Sequence, residues 1–328
     1  MLLSAYGWTP DLSDLLTPVP GRVVRVDRGR CEAVTPDGLL SAATDPAQPV
    51  VTGDWVALAT AEHGPYVRQI APRRTLLQRS SASRRAEAQL LAANVDTVLI
   101  AVSLAVEPDL ARVERFLALA WESGAAPVVV LTKADAAPDA EYIQGDVTRV
   151  APEVPVLAVS AERGTGLDAL RERVRGGTSV LLGQSGAGKS TLVNMLTGRQ
   201  AMVVRAIGAD GKGRHTTTTR ELLPLPGGGV LIDTPGLRGV GLHDQAAGLH
   251  RVFAEIETLA AECRFADCRH TAEPGCAVLA AVDDGLLPVR RLESYRKLGR
   301  ENARAAARAE HRDREQTRKA VLRLEGRW

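Results

Sequence analysis

"LTKAD", residues 131–135, closes the apolar run "APVVVLTKAD" (126–135), which reads as a buried strand passing into a loop. Around it, "VDTVLIAVSL" (95–104), "ARVERFLALAWESGA" (111–125) and "VPVLAVSAERGTGLDALRERV" (154–174) alternate buried strands with amphipathic helices. That alternation predicts a doubly wound, parallel α/β unit. It continues through "TSVLLGQSGAGKSTLVNMLTG" (178–198) and the strand "GGVLIDTPG" (228–236). What makes "LTKAD" decisive is its position, about fifty residues ahead of the Gly-rich loop "GQSGAGKST" (183–191).

That loop fits G-x-x-x-x-G-K-[ST] at Gly183, Gly188, Lys189 and Ser190, with a strand before it and a helix after it. Backbone N–H groups from Gly183, Gln184, Ser185, Gly186, Ala187 and Gly188 would curl inward on phosphate oxygens, and the helix opening at Ser190 and Thr191 adds its positive end. Lys189 would span the β- and γ-phosphates, and the Ser190 hydroxyl would ligate Mg²⁺. A plain Gly-rich turn is the bland alternative. Asp233, ending the strand "VLID", can hold the Mg²⁺ shell, and the Gly236 amide can meet a γ-phosphate. Between the two lies "GKGRHTTTTREL" (211–222), whose threonines suit a first switch loop, with a Thr-rich edge strand as the alternative.

Chemistry then bears on "LTKAD". Asp135 can accept hydrogen bonds from guanine N1–H and the 2-amino group, whereas adenine would leave that carboxylate desolvated and unpaired. Lys133 would lay its stem along the base. Ser160 and Ala161, in "VSAERGTG" (159–166), could offer backbone contact to guanine O6. All five elements fall at strand ends on one face of a parallel sheet, where α/β proteins bind ligands. Their order is guanine loop, base-backing loop, phosphate loop, first switch, second switch. An ordinary GTPase starts at the phosphate loop; joining its ends and cutting after the second switch gives the order found here. Permutation of this kind is tolerable when termini lie close and the cut falls in a loop.

The flanking text differs. "GRVVRV", "CEAVTPDGLL", "PVVTGDWVALA" and "GPYVRQI" (21–70) are short β-rich pieces with turn residues between them, which predicts a small barrel. Ten arginines between 20 and 85 (Arg22, Arg25, Arg28, Arg30, Arg68, Arg73, Arg74, Arg79, Arg84, Arg85) face six acids there, a surface suited to RNA phosphate or simply to solubility. Trp55 and Tyr66 are the main aromatics, so base stacking is a weaker expectation. After about 245 the text is helical. Residues 288–328 hold thirteen Lys or Arg against six acids, and read as a long, exposed, basic helix. Cys263, Cys268, His270 and Cys276 form a closed set of three thiols and an imidazole that suits structural Zn²⁺; unrelated buried cysteines or a disulfide are the alternatives. Cys31 reads as a small buried hydrophobe. No basic-then-apolar leader opens the chain and no run reaches about 18 apolar residues, which predicts a cytoplasmic protein with no membrane contact.

The permuted order, "GRHTTT", "DTPG", the N-terminal barrel and the Cys-x4-Cys-x-His-x5-Cys cluster together resemble the ribosome small-subunit-dependent GTPase A family, RsgA or YjeQ, over about 20–300. The resemblance implies an OB-fold RNA-binding barrel (20–88) after an N-terminal extension (1–19), a circularly permuted GTPase domain (89–244), and a helical zinc-binding domain with a basic last helix (245–328). It implies a monomeric factor in late maturation of the small (30S) subunit, binding 16S rRNA, with GTP hydrolysis to GDP stimulated by that subunit. It assigns His215 to the attacking water, since Leu237 stands where many GTPases carry Gln, and Thr217 to the switch and its Mg²⁺. Thr132 stands in the usual place of Asn, which predicts weaker bracing of the guanine loop. Two other readings remain: a P-loop kinase or ATPase with incidental guanine-like motifs, and a mainly structural RNA-binding factor with weak turnover.

Overall fold

A computed structural model describes residues 2–80, 88–198, 220–234 and 246–324. Five short strands come first: β1 (Val19–Asp27), β2 (Arg30–Thr35), β3 (Gly38–Ala43), β4 (Trp55–Ala61) and β5 (Gly64–Ile70). They close in the order β1-β2-β3-β5-β4-β1, with β3 and β5 parallel, which is the barrel the turn-punctuated text predicts. Val23, Cys31, Ala33, Ala42, Val56 and Leu58 fill it, so Cys31 is the buried hydrophobe expected.

Residues ahead of the barrel pack rather than trail. Leu3 and Leu16 are buried, and Trp8 meets Trp55 edge to face at 5.4 Å between ring centroids. Under them lies Arg22, which is 2% exposed. Its guanidinium sits 4.8 Å from the centroid of Trp55, donates 2.7 Å to Thr178 Oγ1 and also bonds the Tyr6 carbonyl. Arg73 clamps the fully buried Asp54 through two bonds of 2.7 and 2.8 Å. Two of the ten barrel arginines therefore serve the interior, and Trp55, at 5% exposure, is unavailable for stacking. Arg28, Arg30, Arg68 and Arg74 remain on the outside.

A hairpin of β6 (Leu76–Ser80) and β7 (Ala88–Ala93) leads into the α/β layer. This runs β8 (Thr97–Ser103), α1 (Leu110–Glu122), β9 (Ala126–Thr132), α2 (Ala140–Val150), β10 (Val156–Val159), α3 (Leu167–Val174), β11 (Thr178–Gly183), α4 (Lys189–Thr197), β12 (Glu221–Pro224) and β13 (Val230–Asp233). The spatial order is β10-β9-β8-β11-β13-β12, parallel except for β12 against β13. β11 is buried at every position, as a central strand covered on both faces must be. The outer edge of β12 meets β1 through the pair Arg25 and Glu221, so barrel and α/β layer share one continuous sheet.

α1 shows how local sequence serves packing. Asp109 caps it by accepting from the Arg112 N–H at 3.1 Å, and Val113, Phe116, Leu117 and Ala120 form its buried stripe. Glu114, also on α1, is fully buried. It accepts 2.7 Å bonds from Arg290 and Arg291 and a bond from Ser294 Oγ. Those partners belong to the C-terminal helices, α5 (Ala246–Val252), α6 (Ala254–Ala260), α7 (Ala277–Asp283) and α8 (Val289–Leu324). α8 is the long basic helix expected, but its first turns are docked: Arg291, Leu292, Ser294, Leu298 and Asn302 are buried. Gly248 of α5 lies so near α1 that a Cβ would fall 2.1 Å from the Ala118 carbonyl. Among the described residues no helix is long and apolar enough to cross a membrane.

Candidate active site and metal centre

The C-terminal ends of five strands meet along one edge of the sheet. Register places Ser103 beside Thr132, Val159 beside Thr132, Gly183 beside Ala101 and Asp233 beside Leu181. The loops that follow these strands carry Asp135, Ser160, Ala161 and the 183–191 segment, and Asp233 ends β13, so these of the residues picked from the sequence lie along one edge.

The Gly-rich loop needs its glycines for two reasons. Gly183 has φ 143° and a Cβ there would lie 2.5 Å from the Ala101 carbonyl, so β8 sits too close for a side chain. Gly188, at φ 77°, caps α4 and faces Thr132 at 3.3 Å from its imagined Cβ. Lys189 Nζ turns onto its own loop, donating 2.7 Å bonds to the carbonyls of Gly183 and Gln184. Burial lowers the pKa of Lys189 to about 8, with Asp233 opposing the shift. An ammonium desolvated in this way favours an incoming anion. Asp233 is 6% exposed, and the neighbouring Thr234 hydroxyl donates 2.6 Å to the Leu181 carbonyl, tying β13 to β11.

Thr132 ends β9 at 4% exposure. Its hydroxyl donates 2.9 Å to the Ala187 carbonyl, joining "LTKAD" to the phosphate loop. Threonine in the place of Asn therefore still makes one bond to this loop, and Gly188, which has no side chain, faces that hydroxyl. Lys133 then takes a left-handed conformation, φ 58°, which turns the chain sharply and presents Asp135 in a one-turn 3-10 helix, Ala134–Ala136. Ser160, fully buried, donates its hydroxyl to Asp135 Oδ1 and accepts the Arg163 N–H at 3.0 Å. The Ser160 bond is the main reason the Asp135 carboxyl stays below its usual pKa and remains an ionised acceptor.

Sequence reasoning missed Arg112. From the first turn of α1 it bonds the Gln184 side chain on the phosphate loop. No motif marks it, because the contact depends on how the start of α1 lies relative to the phosphate loop, more than seventy residues later in the chain. His215, Thr217 and Gly236 fall outside the described residues, so the two switches enter only through Asp233 and β12.

The four metal-ligand candidates do converge: their donor atoms all lie within 4.8 Å of one another. Cys263 Sγ and Cys276 Sγ are 3.8 Å apart, and His270 Nδ1 stands 3.6 Å from Cys263 Sγ and 3.4 Å from Cys276 Sγ. A tetrahedral ion bound at about 2.3 Å to sulfur and about 2.05 Å to nitrogen has edges of about 3.8 Å (S to S) and about 3.6 Å (N to S). The donor set therefore fits such an ion, and no disulfide competes, since all four cysteines are free. Cys276 also caps α7, its Sγ accepting the Leu279 N–H at 3.4 Å, which fixes this donor at the start of the helix. Burial holds the His270 imidazole below its usual pKa, in the neutral form a ligand needs. Glu273 organises the loop: the N–H of Thr271 foremost, with those of Arg269 and Ala272, draws its carboxyl down to about 2.

Residues 70–243 match the family model described as RsgA GTPase. The small ribosomal subunit biogenesis GTPase RsgA of Streptomyces coelicolor is 62% identical over 337 residues, covering 98% of this chain and 92% of that protein. Among solved structures, YjeQ from Thermotoga maritima aligns with TM-score 0.63 and 26% identity over 85% of this chain and 96% of its own. YloQ, described as a circularly permuted GTPase, aligns with TM-score 0.59 and 24% identity over 91% and 96%. The fold is thus a circularly permuted GTPase layer between a β-barrel and a helical segment with a metal-ligand cluster, and the chain belongs to the RsgA GTPase family.

Proposed function

We propose that this chain is a GTP hydrolase of small ribosomal subunit maturation, in which turnover stimulated by that subunit times release. The observation that carries the reading is the hydrogen-bonded link from Asp135 through Ser160, and from Thr132 to Ala187, which holds a guanine-selecting carboxylate in fixed relation to a phosphate loop. In this reading Asp135 takes guanine N1–H and the 2-amino group, Lys133 lies along the base, and Ser160 and Ala161 back O6. The amides from Gly183 to Thr191 and the Lys189 ammonium take the phosphates. Ser190, Asp233 and Thr217 offer the hard oxygens Mg²⁺ prefers, and the ion would supply charge neutralisation at the phosphates. Gly236 senses the γ-phosphate and His215 orients water.

Cys263, Cys268, His270 and Cys276 hold zinc as a structural ion. Residues 20–88 and the basic last helix contact 16S rRNA, with 89–244 as the GTPase part and 245–328 as the metal-bearing part. The chain acts as a monomer in the cytoplasm. The relatives' printed names support the ribosomal assignment.

The test is GTP turnover measured with and without purified small subunits, with ATP as competitor of labelled GDP. Stimulation by subunits and displacement by GTP but not ATP is the expected result. Displacement by ATP at equal concentration would remove the guanine reading, and subunit-independent turnover would remove the ribosomal one. His215→Ala should bind GTP normally and hydrolyse it far more slowly.

A further inference from the structure

An open groove of about 480 Å³ lies between the β8–α1 loop and the turn that follows Asp135. Leu104, Pro108 and Ile143 contribute to its apolar lining. Val106, 61% exposed, and Tyr142, 70% exposed, stand among its lining residues as two of the most exposed large apolar side chains described. The two segments that form it, 104–110 and 136–146, contain five carboxylates and neither Lys nor Arg. In a chain where 41 of 328 residues are Lys or Arg, about two would be expected in that length. Asp109 and Asp146 are answered by Arg112 and Arg149. Glu107 and Asp139 line the groove with no ion-pair partner among the described residues.

Charge decides what such a groove can take. Nucleic acid is repelled by unpaired carboxylates, and the chain keeps its basic surfaces elsewhere, on the outer barrel and along α8. A purely apolar partner would bury Glu107 and Asp139 without compensation. An arginine-bearing, extended polypeptide satisfies each feature. Its guanidinium groups pair with the two carboxylates and stack on the Tyr142 ring, while their aliphatic stems cover the apolar lining.

We propose that this groove docks an arginine-rich, extended segment of a partner protein. The groove adjoins the Asp135 turn at Ala136, but none of its lining residues is one assigned to the nucleotide, so variants at Glu107, Asp139 and Tyr142 should leave GDP binding in place. The probe is a labelled short peptide of alternating arginine and leucine, titrated into the full chain at low salt and followed by fluorescence anisotropy. The expected result is saturable binding that weakens about tenfold or more in Glu107→Lys/Asp139→Lys and about threefold or more in Tyr142→Ala. Fluorescent GDP should bind all three proteins alike, which shows the variants folded. Three results would overturn the proposal: peptide binding indifferent to both variants, a short RNA that binds in the groove and displaces the peptide, or a dimer abolished by Tyr142→Ala.

Discussion

Glu114→Ala should loosen the docking of α8 far more than an exposed acid would. The side chain has no solvent exposure and accepts from Arg290, Arg291 and Ser294, each a bond to a charged acceptor. Arg290 is 38% exposed and can recover water when its partner is removed. Arg291 is 5% exposed and cannot; it keeps Glu255 at 2.5 Å and the Val252 carbonyl at 2.8 Å. Breaking a buried ion pair from one side costs about 3–5 kcal/mol, and the retained Glu255 contact places this case at the lower end, about 3 kcal/mol. At about 1.4 kcal/mol per decade, local opening of α8 becomes about a hundredfold more populated. Hydrogen exchange read by mass spectrometry should show amides in 289–302 exchanging about a hundredfold faster, while a barrel segment such as 55–61 changes less than about twofold. If the stranded charge is the cause, Glu114→Leu combined with Arg291→Met should restore most of the protection, because well-packed apolar replacements of buried ion pairs are tolerated. Unchanged exchange in 289–302 after the single substitution, or a double variant as loose as the single one, would refute the reasoning.

Thr132→Val keeps the shape of the side chain and removes the hydroxyl that reaches the Ala187 carbonyl, so GDP affinity should fall about fivefold to twentyfold, with Thr132→Ser near the parent; fluorescent GDP titration decides it. Because burial lowers the pKa of Lys189 to about 8 and the phosphates need its protonated form, GDP affinity should be level near pH 7 and decline as pH rises through about 8. Calorimetry in two buffers should detect proton uptake on binding at pH 8.5–9, and a flat profile would contradict it. Cys276→Ser should lower bound zinc from about one per chain to near zero by elemental analysis and speed exchange in α7, which that thiol caps.

Much of this architecture was legible because its signals are local. A strand followed by a Gly-rich loop and a helix, or a Cys3His cluster within fourteen residues, states its chemistry in a contiguous stretch. "LTKAD" carried more, since its position ahead of the phosphate loop revealed the wiring. Long-range partnerships were not legible. Glu114 occupies a helix that would read as amphipathic with any acid there, and its burial depends on arginines about 176 residues later. Arg22 and Arg73 sit in text that looks like an RNA-facing surface, yet one packs under Trp55 and the other binds a buried aspartate. Residues 2–16 show no periodic pattern because they are held by individual anchors, Leu3, Trp8 and Leu16, rather than by a repeating face.

The shared sheet bears on how this protein can be divided. β12 is a four-residue strand whose outer edge, among the described residues, is met by β1 at the pair Arg25 and Glu221. Beside that seam, Gly53 approaches Ala93 and Ile232 too closely for a side chain, and Arg22 serves Thr178 at the root of the phosphate-loop strand. A fragment that begins after the barrel would leave an open strand edge, a bared apolar seam and a hydroxyl without its donor, the conditions under which sheets add neighbours from other molecules. The barrel thus covers an edge of the nucleotide-binding layer as well as adding a surface to it, and fragments meant for solution work should retain it.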